Sequence, residues 1–495
     1  MKKSRFKVFV VCCLSFLLVS LLSCKSTMHT VSFYANNDIE VDSQSVENNN
    51  KIANPIIDKK QNGYLFKGWY VDPNFETEWD INNPVNKDLT LYAKWIAKDH
   101  TLLFDSNHGN NSMEPIILKT DEEISLPSNQ FSKDDYIFAG WADKKDGDIL
   151  LKDNSTFKMG VNDITLYAKW VAKPITRPQL EEMILNEEDL TNVNTSKITD
   201  MSHLFEGKEN INGNIASWDV SNVVDMKFMF ANSTSFNGNL SSWDVSNVVD
   251  MEGMFYCASN FNSDISNWDV SSVNSMTCMF CGAQKFNQDL SSWDVSNVTI
   301  TNGMFFNTAS FNGNISTWDV SSVKDMTNMF FLTKSFNQDL LNWDVSNVTT
   351  MKGMFSGAIS FNGDISSWDV GNVKNIEEMF AGAQSFNGDI SEWDVSNVNY
   401  MGGLFVSASN FNGDISQWNT ESVVDTSAMF YKADKFNSDL SAWDMSNVIS
   451  MDGMFYEAPS FSQDLSSWNV DKVESHEGFS INSLLKKEQL PKWKN

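Results

Sequence analysis

The chain has 495 residues, a formal charge of −28, 41% hydrophobic residues, 17 Trp and 35 Phe. So acidic a chain excludes nucleic acid as a partner, because that binding rests on clustered Lys and Arg. The apolar and aromatic content excludes a solvated, disordered chain, and the length predicts several domains.

At the N-terminus, Lys2, Lys3, Arg5 and Lys7 precede an apolar run from Val8 to Leu22. That run is 15 residues long, shorter than the roughly 20 that a membrane span needs. It predicts a signal peptide over 1–23. The run ends in Leu21-Leu22-Ser23-Cys24, which resembles a bacterial lipobox. The resemblance implies that Cys24 is diacylated on sulfur and becomes the first residue of a short lipidated linker, 24–29. The plain alternative is a chance cysteine in a secretory signal, as Cys12 and Cys13 are. Two or three acyl chains satisfy the rule that stable anchoring needs more than one lipid. The expected place is the bacterial cell envelope, exposed at the surface, with the lipid alone touching the bilayer.

Residues 30–97 and 98–172 read as two copies of one small domain. Each opens on a strand-like stretch, "HTVSFYANN" and "HTLLFDSNH", has a central Gly68-Trp69 or Gly140-Trp141, and closes on "LTLYAKW" or "ITLYAKW". Alternating apolar residues and aromatics favour strands. These copies resemble the Listeria–Bacteroides repeat, the B-repeat of internalin-type proteins. That resemblance implies a small β-grasp-like fold serving as a spacer or weak interaction module.

Residues 173–189 form a junction. Pro174 and Pro178 break the chain, and "QLEEMILNEEDL" from Gln179 predicts a short amphipathic helix. With Leu180, Met183 and Ile184 on one face, it is expected to cover the exposed end of the next domain.

From 190 to 473 the chain repeats. Eleven tryptophans, from Trp218 to Trp468, are spaced by 25 residues without a slip, and Trp493 falls one period later in the C-terminal cap, 474–495. Leu190 and Val193 occupy the apolar positions of a degenerate first unit. The consensus is W-D-V-S-N-V-x-x-M-x-x-M-F-x-x-A-x-x-F-N-x-D-I-S-x, and a fixed period of this size marks a solenoid. Within one unit, Ile315, Trp318 and Val320 predict a short strand with Trp318 and Val320 inward and Asp319 outward. Ser321 or Ser322 is a candidate helix cap, and Val323, Met326, Met329 and Phe330 stand at helical spacing. The expected fold class is an α/β solenoid, leucine-rich-repeat-like, with one short parallel strand and one short helix per repeat. Such a unit buries its apolar face only against its neighbours. The "WDVSNVxxMxxMF" repeat resembles the BspA-type leucine-rich-repeat surface lipoproteins, including the mycoplasma lipoprotein domain of unknown function. The resemblance implies a bacterial surface protein of adhesion type. Thr301, Ile376, Thr426, Leu404, Asn419 and Asn469 depart from the pattern and soften single rungs.

No nucleophile–His–acid set, phosphate loop or metal-ligand cluster stands out, so no catalysis and no cofactor are expected. The methionine columns read as core. Cys278 and Cys281 form a Cys-x-x-Cys without a second pair or a nearby His. Cys257 lies 24 residues before Cys281, which places them on adjacent rungs as a candidate disulfide, with free thiols the other reading. The acids beside the tryptophans, Asp219, Asp244, Asp269, Asp294, Asp319, Asp344, Asp369, Asp394 and Asp444, are expected to form one outward column. Hydration and hydrogen bonds to neighbouring Ser and Asn would relieve their repulsion. The sharper alternative, with Ser246, Ser271 and Ser296 alongside, is a weak calcium site or a face for a basic patch on a partner. The leading expectation is a non-catalytic, lipid-anchored protein whose repeats bind a host matrix or cell-surface protein, or other cells. A structural surface coat without specific ligand is the alternative, and a glycan-active enzyme comes third.

Overall fold

In this computed structural model the described residues are 26–36, 39–55, 57, 61–211 and 213–494. They fall into two units, one ending at Val171 and one beginning at Ala172.

The first unit is built from strands. β1 (Met28–Tyr34), β2 (Gln44–Glu47), β3 (Tyr64–Tyr70) and β4 (Leu89–Ala97) make a sheet in the order β2-β1-β4-β3. β1 and β4 are parallel, with Val31 opposite Leu89, and the outer pairs are antiparallel. The chain then forms β5 (Asp99–Asp105), β6 (Ile116–Lys119), β7 (Glu123–Ser125), β8 (Tyr136–Ala142), β9 (Thr156–Lys158) and β10 (Ile164–Ala172). The order β6-β5-β10-β8 repeats that of the first sheet, and β7 pairs with β9 in a separate ribbon. Each sheet curls around its tryptophan. Trp69 is buried, with Phe33 at 5.0 Å and Phe66 at 5.6 Å. Trp141 is fully buried among Phe138, Phe104 and Phe131, at 4.8, 5.1 and 6.0 Å. Among the described residues neither sheet carries a helix, so the β-grasp-like expectation holds for the strand order alone.

The second unit opens on α1 (Arg177–Leu185). Thr176 is its N-cap, with its main-chain N–H donating to Gln179 Oε1 at 2.9 Å, and Pro178 sits in the first turn, where its missing N–H costs nothing. Leu180 is fully buried, and Met183 and Ile184 pack on the same core. The helix stops short of its predicted end, and Glu187 takes a left-handed φ of 57°. Arg177 pairs with Glu181 at 2.7 Å and with Asp200, and donates to the main-chain carbonyls of Asp200 and Ser202. Asp225, the counterpart of Asp200 one repeat later, accepts from Met201 of the preceding repeat. Arg177 thus takes the place of a missing earlier repeat, and α1 covers that end of the repeat core.

From Asp200 to Ser475 one residue per repeat pairs in a parallel bridge with its equivalent 25 residues on. The bridge falls at Asp325, inside the stretch expected to be helix, while the expected strand at Ile315, Trp318 and Val320 is absent, as are all the expected helices between Ser221 and Val473. The physical reason lies in the backbone bonds. Met326, Asn328, Phe330 and Leu332 each donate their N–H to the next repeat, to Thr350, Lys352, Met354 and Ser356. The alternate residues close four-residue turns instead: Met329 to Met326, Phe331 to Asn328 and Thr333 to Phe330, at 3.2, 3.1 and 3.0 Å. Asn328 and Leu332, third in their turns, have φ of 56° each, the left-handed value of type II turns and one that ends a right-handed helix. The chain is therefore mostly β and turn with little helix, and its repeats are turn-built rungs.

Inward and outward positions follow the sequence pattern. Trp318 and Val320 are buried and Asp319 is exposed. Each tryptophan N–H finds a partner on the preceding rung: Trp343 Nε1 donates to the Ile315 carbonyl at 3.0 Å. Two phenylalanine columns run through the core. Phe330 stacks on Phe355 at 5.5 Å within its column and on Phe336 of its own rung at 4.0 Å. At the far end Trp493 stacks on His476 at 4.1 Å and meets Phe479 edge-on at 5.0 Å, closing the column.

Candidate functional site

Cys24 lies outside the described residues. The aspartate column is present and exposed, on rung after rung beside a buried tryptophan. Its geometry is that of an Asx turn. Oδ1 of Asp244, Asp269 and Asp319 accepts from the hydroxyl of the serine two residues on, at 2.6 Å in each case, and from its main-chain N–H at 3.1, 3.1 and 3.0 Å. Asp294, Asp344 and Asp394 accept from the N–H of Ser296, Ser346 and Ser396, and Asp369 from that of Gly371. The serine hydroxyl and N–H together hold the carboxyls of Asp244, Asp294, Asp344, Asp394 and Asp444 below the usual carboxylate range, against a smaller desolvation effect. Among the described residues no group of three or more His, Cys, Asp or Glu comes together in a way that could hold a metal ion. The hydrogen bonds to serine expected for this column are present on these rungs, and the alternative of a weak calcium site has one carboxylate per rung of the column to draw on.

Two rungs separate the turn from the charge. Asn419 and Asn469 make the same bond with uncharged side chains, to the N–H of Glu421 and Asp471 at 3.1 Å each. The turn needs an oxygen there and not a negative charge. The carboxylates on the other rungs are surplus to the turn, and they point to solvent.

Cys257, Cys278 and Cys281 are free thiols on neighbouring rungs. Cys257 N–H donates to the Cys281 carbonyl at 2.6 Å, so the adjacency expected for this pair is real, without a bond between the sulfurs.

Sequence reasoning missed three features of the rung surface. One is an asparagine ladder: Asn312 Oδ1 accepts from Asn337 N–H, and Asn337 Oδ1 from Asn362 N–H, at 2.8 and 2.7 Å. A second is the asparagine of the Ser-Asn pair, which reaches back one rung, Asn347 Nδ2 donating to the Ser321 carbonyl at 2.9 Å. Both asparagines stand in the consensus, and their constancy was the available signal. The third is a set of half-buried aromatic pairs on the turn face, Phe306 on Phe331 at 4.6 Å and Tyr431 on Tyr456 at 5.0 Å. They occupy a variable position, so the period gives no hint of them. The site is thus a long surface of exposed acids, amides and paired rings on a rigid core, suited to contact with another large molecule.

Similarity to known proteins follows the same division. Residues 179–293, 241–332, 308–406 and 385–493 match the family described as "Mycoplasma protein of unknown function, DUF285", and together these matches cover well over half of the chain. Residues 29–94 and 100–169 match the Listeria-Bacteroides repeat domain. A protein of Evansella cellulosilytica, provisionally named a membrane protein, is 28% identical over 33% of this chain and 25% of its own length. A second from that organism, provisionally named a Gly-rich membrane protein, is 33% identical over 29% of this chain and 16% of its own. Internalin H of Listeria monocytogenes is 33% identical over 28% of this chain and 24% of its own. The chain thus spans a quarter or less of the length of these relatives. No solved structure matches.

Proposed function

Because the chain belongs to the mycoplasma protein family of unknown function DUF285, with two Listeria-Bacteroides repeat domains ahead of its rungs, we propose that it is a surface protein whose repeats form a solenoid for binding. The partner class is a host matrix or cell-surface protein, or the surface of another cell. Contact and not catalysis is the work of the rungs. Lipidation at Cys24 anchors the chain in the bacterial envelope, and the two sheet domains serve as a stalk. Internalin H and the two proteins provisionally named as membrane proteins support a place at the cell surface. Among the described residues no helix is long and apolar enough to cross a membrane.

The observation that carries this reading is the uncharged turn at Asn419 and Asn469. A column of carboxylates that the fold does not require is a recognition feature, and complementary charge raises the rate and selectivity of encounter. The test is binding of the purified chain to immobilised matrix proteins, mucins and host cells. Saturable attachment is expected, weakening with salt and with Asp269, Asp294 and Asp319 all changed to Asn. A variant that folds and binds as the parent does would remove the column from the interface. Absence of saturable binding to every surface would leave a structural coat as the better reading.

A further inference from the structure

Among the described residues, three thiols are left unused by surface binding. Cys278 and Cys281 stand at the first and fourth positions of a single turn, with Cys281 N–H donating to the Cys278 carbonyl at 3.0 Å. Such a turn holds its end α-carbons within about 7 Å, close to the span of roughly 4.4–6.8 Å that a disulfide bridges. Each thiol is the largest influence on the other's ionisation. Cys278 is half-buried and reachable from solvent, whereas Cys281 is buried.

Cys257 lies on the preceding rung, outside that turn; its Sγ sits over the α-carbon of Gly282, where an added Cβ would lie 3.0 Å away, and Cys278 Sγ stands likewise over Gly303, at 3.1 Å. Burial pushes the Cys257 thiol up, against a smaller opposite effect of Tyr256. The Cys281 thiol, by contrast, eases ionisation of Cys278, while Cys281 is held protonated by the Cys278 thiol and by burial. One partly exposed nucleophile with one buried partner beside it is the arrangement that thiol exchange requires.

We propose that Cys278 and Cys281 form a thiol–disulfide exchange site that takes a low-molecular-weight disulfide, such as glutathione disulfide, as its oxidant. The Cys278 thiolate attacks one sulfur of that disulfide, forming a mixed disulfide and releasing one thiolate. Cys281 then loses its proton to solvent and attacks the Cys278 sulfur, closing the turn and releasing the second thiolate. Two protein thiols are oxidised, one disulfide is reduced to two thiols, and the two protons lost by the protein end on them. Closure ties a turn whose N–H groups hold the next rung, so oxidation stiffens the stack at this point.

The test treats the whole chain with glutathione disulfide, alkylates the remaining thiols, and cleaves at methionine. Met276 and Met279 separate all three cysteines into different fragments. The expected product links the Cys278 fragment to the Cys281 fragment and leaves Cys257 alkylated. Cys281→Ser should halt at glutathione on Cys278. Cys278→Ser should slow the reaction of Cys281 about tenfold or more, and Cys257→Ser should react as the parent. A linkage through Cys257, a parent chain that stops at the mixed disulfide, or three thiols still open to alkylation would each overturn the proposal.

Discussion

The two units bury their tryptophans by opposite means. Around Trp141 the chain folds back on itself, and four strands drawn from Asp99–Ala172 close a separate core. Around Trp343 nothing closes: Phe330, Phe355 and their equivalents form a single core that runs from α1 to Phe479. A core of the first kind is complete within one domain. A core of the second kind is a sum over neighbours, and each rung depends on the rungs either side. Damage should therefore stay within a sheet domain in the first unit and spread along the stack in the second.

The largest test of that difference pairs two substitutions. Trp343→Ala should cost about 3–5 kcal/mol, as large-to-small core changes do, and chemical denaturation should show the loss in the rungs alone. Trp141→Ala should cost a similar amount within its own sheet and leave the rungs' transition in place. A loss that appeared in both units for either variant would break the comparison.

A second test sharpens the dependence between rungs. Gly353 has φ 61°, and a Cβ there would run into the Asn328 side chain of the preceding rung. Gly353→Ala should cost about 1–3 kcal/mol, combining left-handed strain with that overlap. Adding Asn328→Gly should recover the part due to overlap and leave the strain. A double variant no more stable than Gly353→Ala would mean that the two rungs do not share the space.

Smaller effects belong to the surface. Asn312→Ala removes the acceptor for Asn337 N–H, and should cost about 0.5–1.5 kcal/mol in thermal melting. Asp344→Asn should be nearly neutral at pH 7, since Asn419 makes the same turn. The two should part in acid. The folded Asp344 carboxyl is held below its ordinary value by Ser346, so its stabilising effect is present above an unfolded pKa near about 4 and is lost as pH falls through the folded value. Melting followed from neutral pH down to about pH 3 should show a smaller decline in Asp344→Asn than in the parent. An equal decline would mean that the serine bonds do not favour the ionised form.

Much of the rung was legible. The period, the inward Trp318 and Val320, the outward Asp319 and the capping segment before Leu190 all come from spacing and side-chain type. The helix did not, because Val323, Met326, Met329 and Phe330 fit two geometries. A helix of 3.6 residues per turn and a string of overlapping four-residue turns both place these residues inward over so short a stretch. Glycine was the deciding signal: Gly253, Gly303, Gly353, Gly403 and Gly453 recur in the middle of the supposed helix, where their left-handed φ is needed and a helix would be weakened. Of the candidate sites, the aspartate column was readable from the repeat itself, whereas the thiol pair was not. Cys278 and Cys281 lie at variable positions, and only the turn sets them at its two ends.

Those glycines also bear on how such an array can grow. In the left-handed column they alternate with Phe228, Cys278, Asn328, Glu378 and Ala428, and the side chains of the first four lie toward the bare α-carbon of the next rung. Duplicating or deleting a single 25-residue segment within that stretch would set two side chains, or two gaps, against each other. The ends of the column already hold both arrangements: His203 stacks on Phe228 at 5.3 Å, and Gly453 is followed by Gly478. Recombination in odd numbers of repeats therefore exchanges a side chain over glycine for a stacked pair or a gap, and the stack has a way to accommodate each.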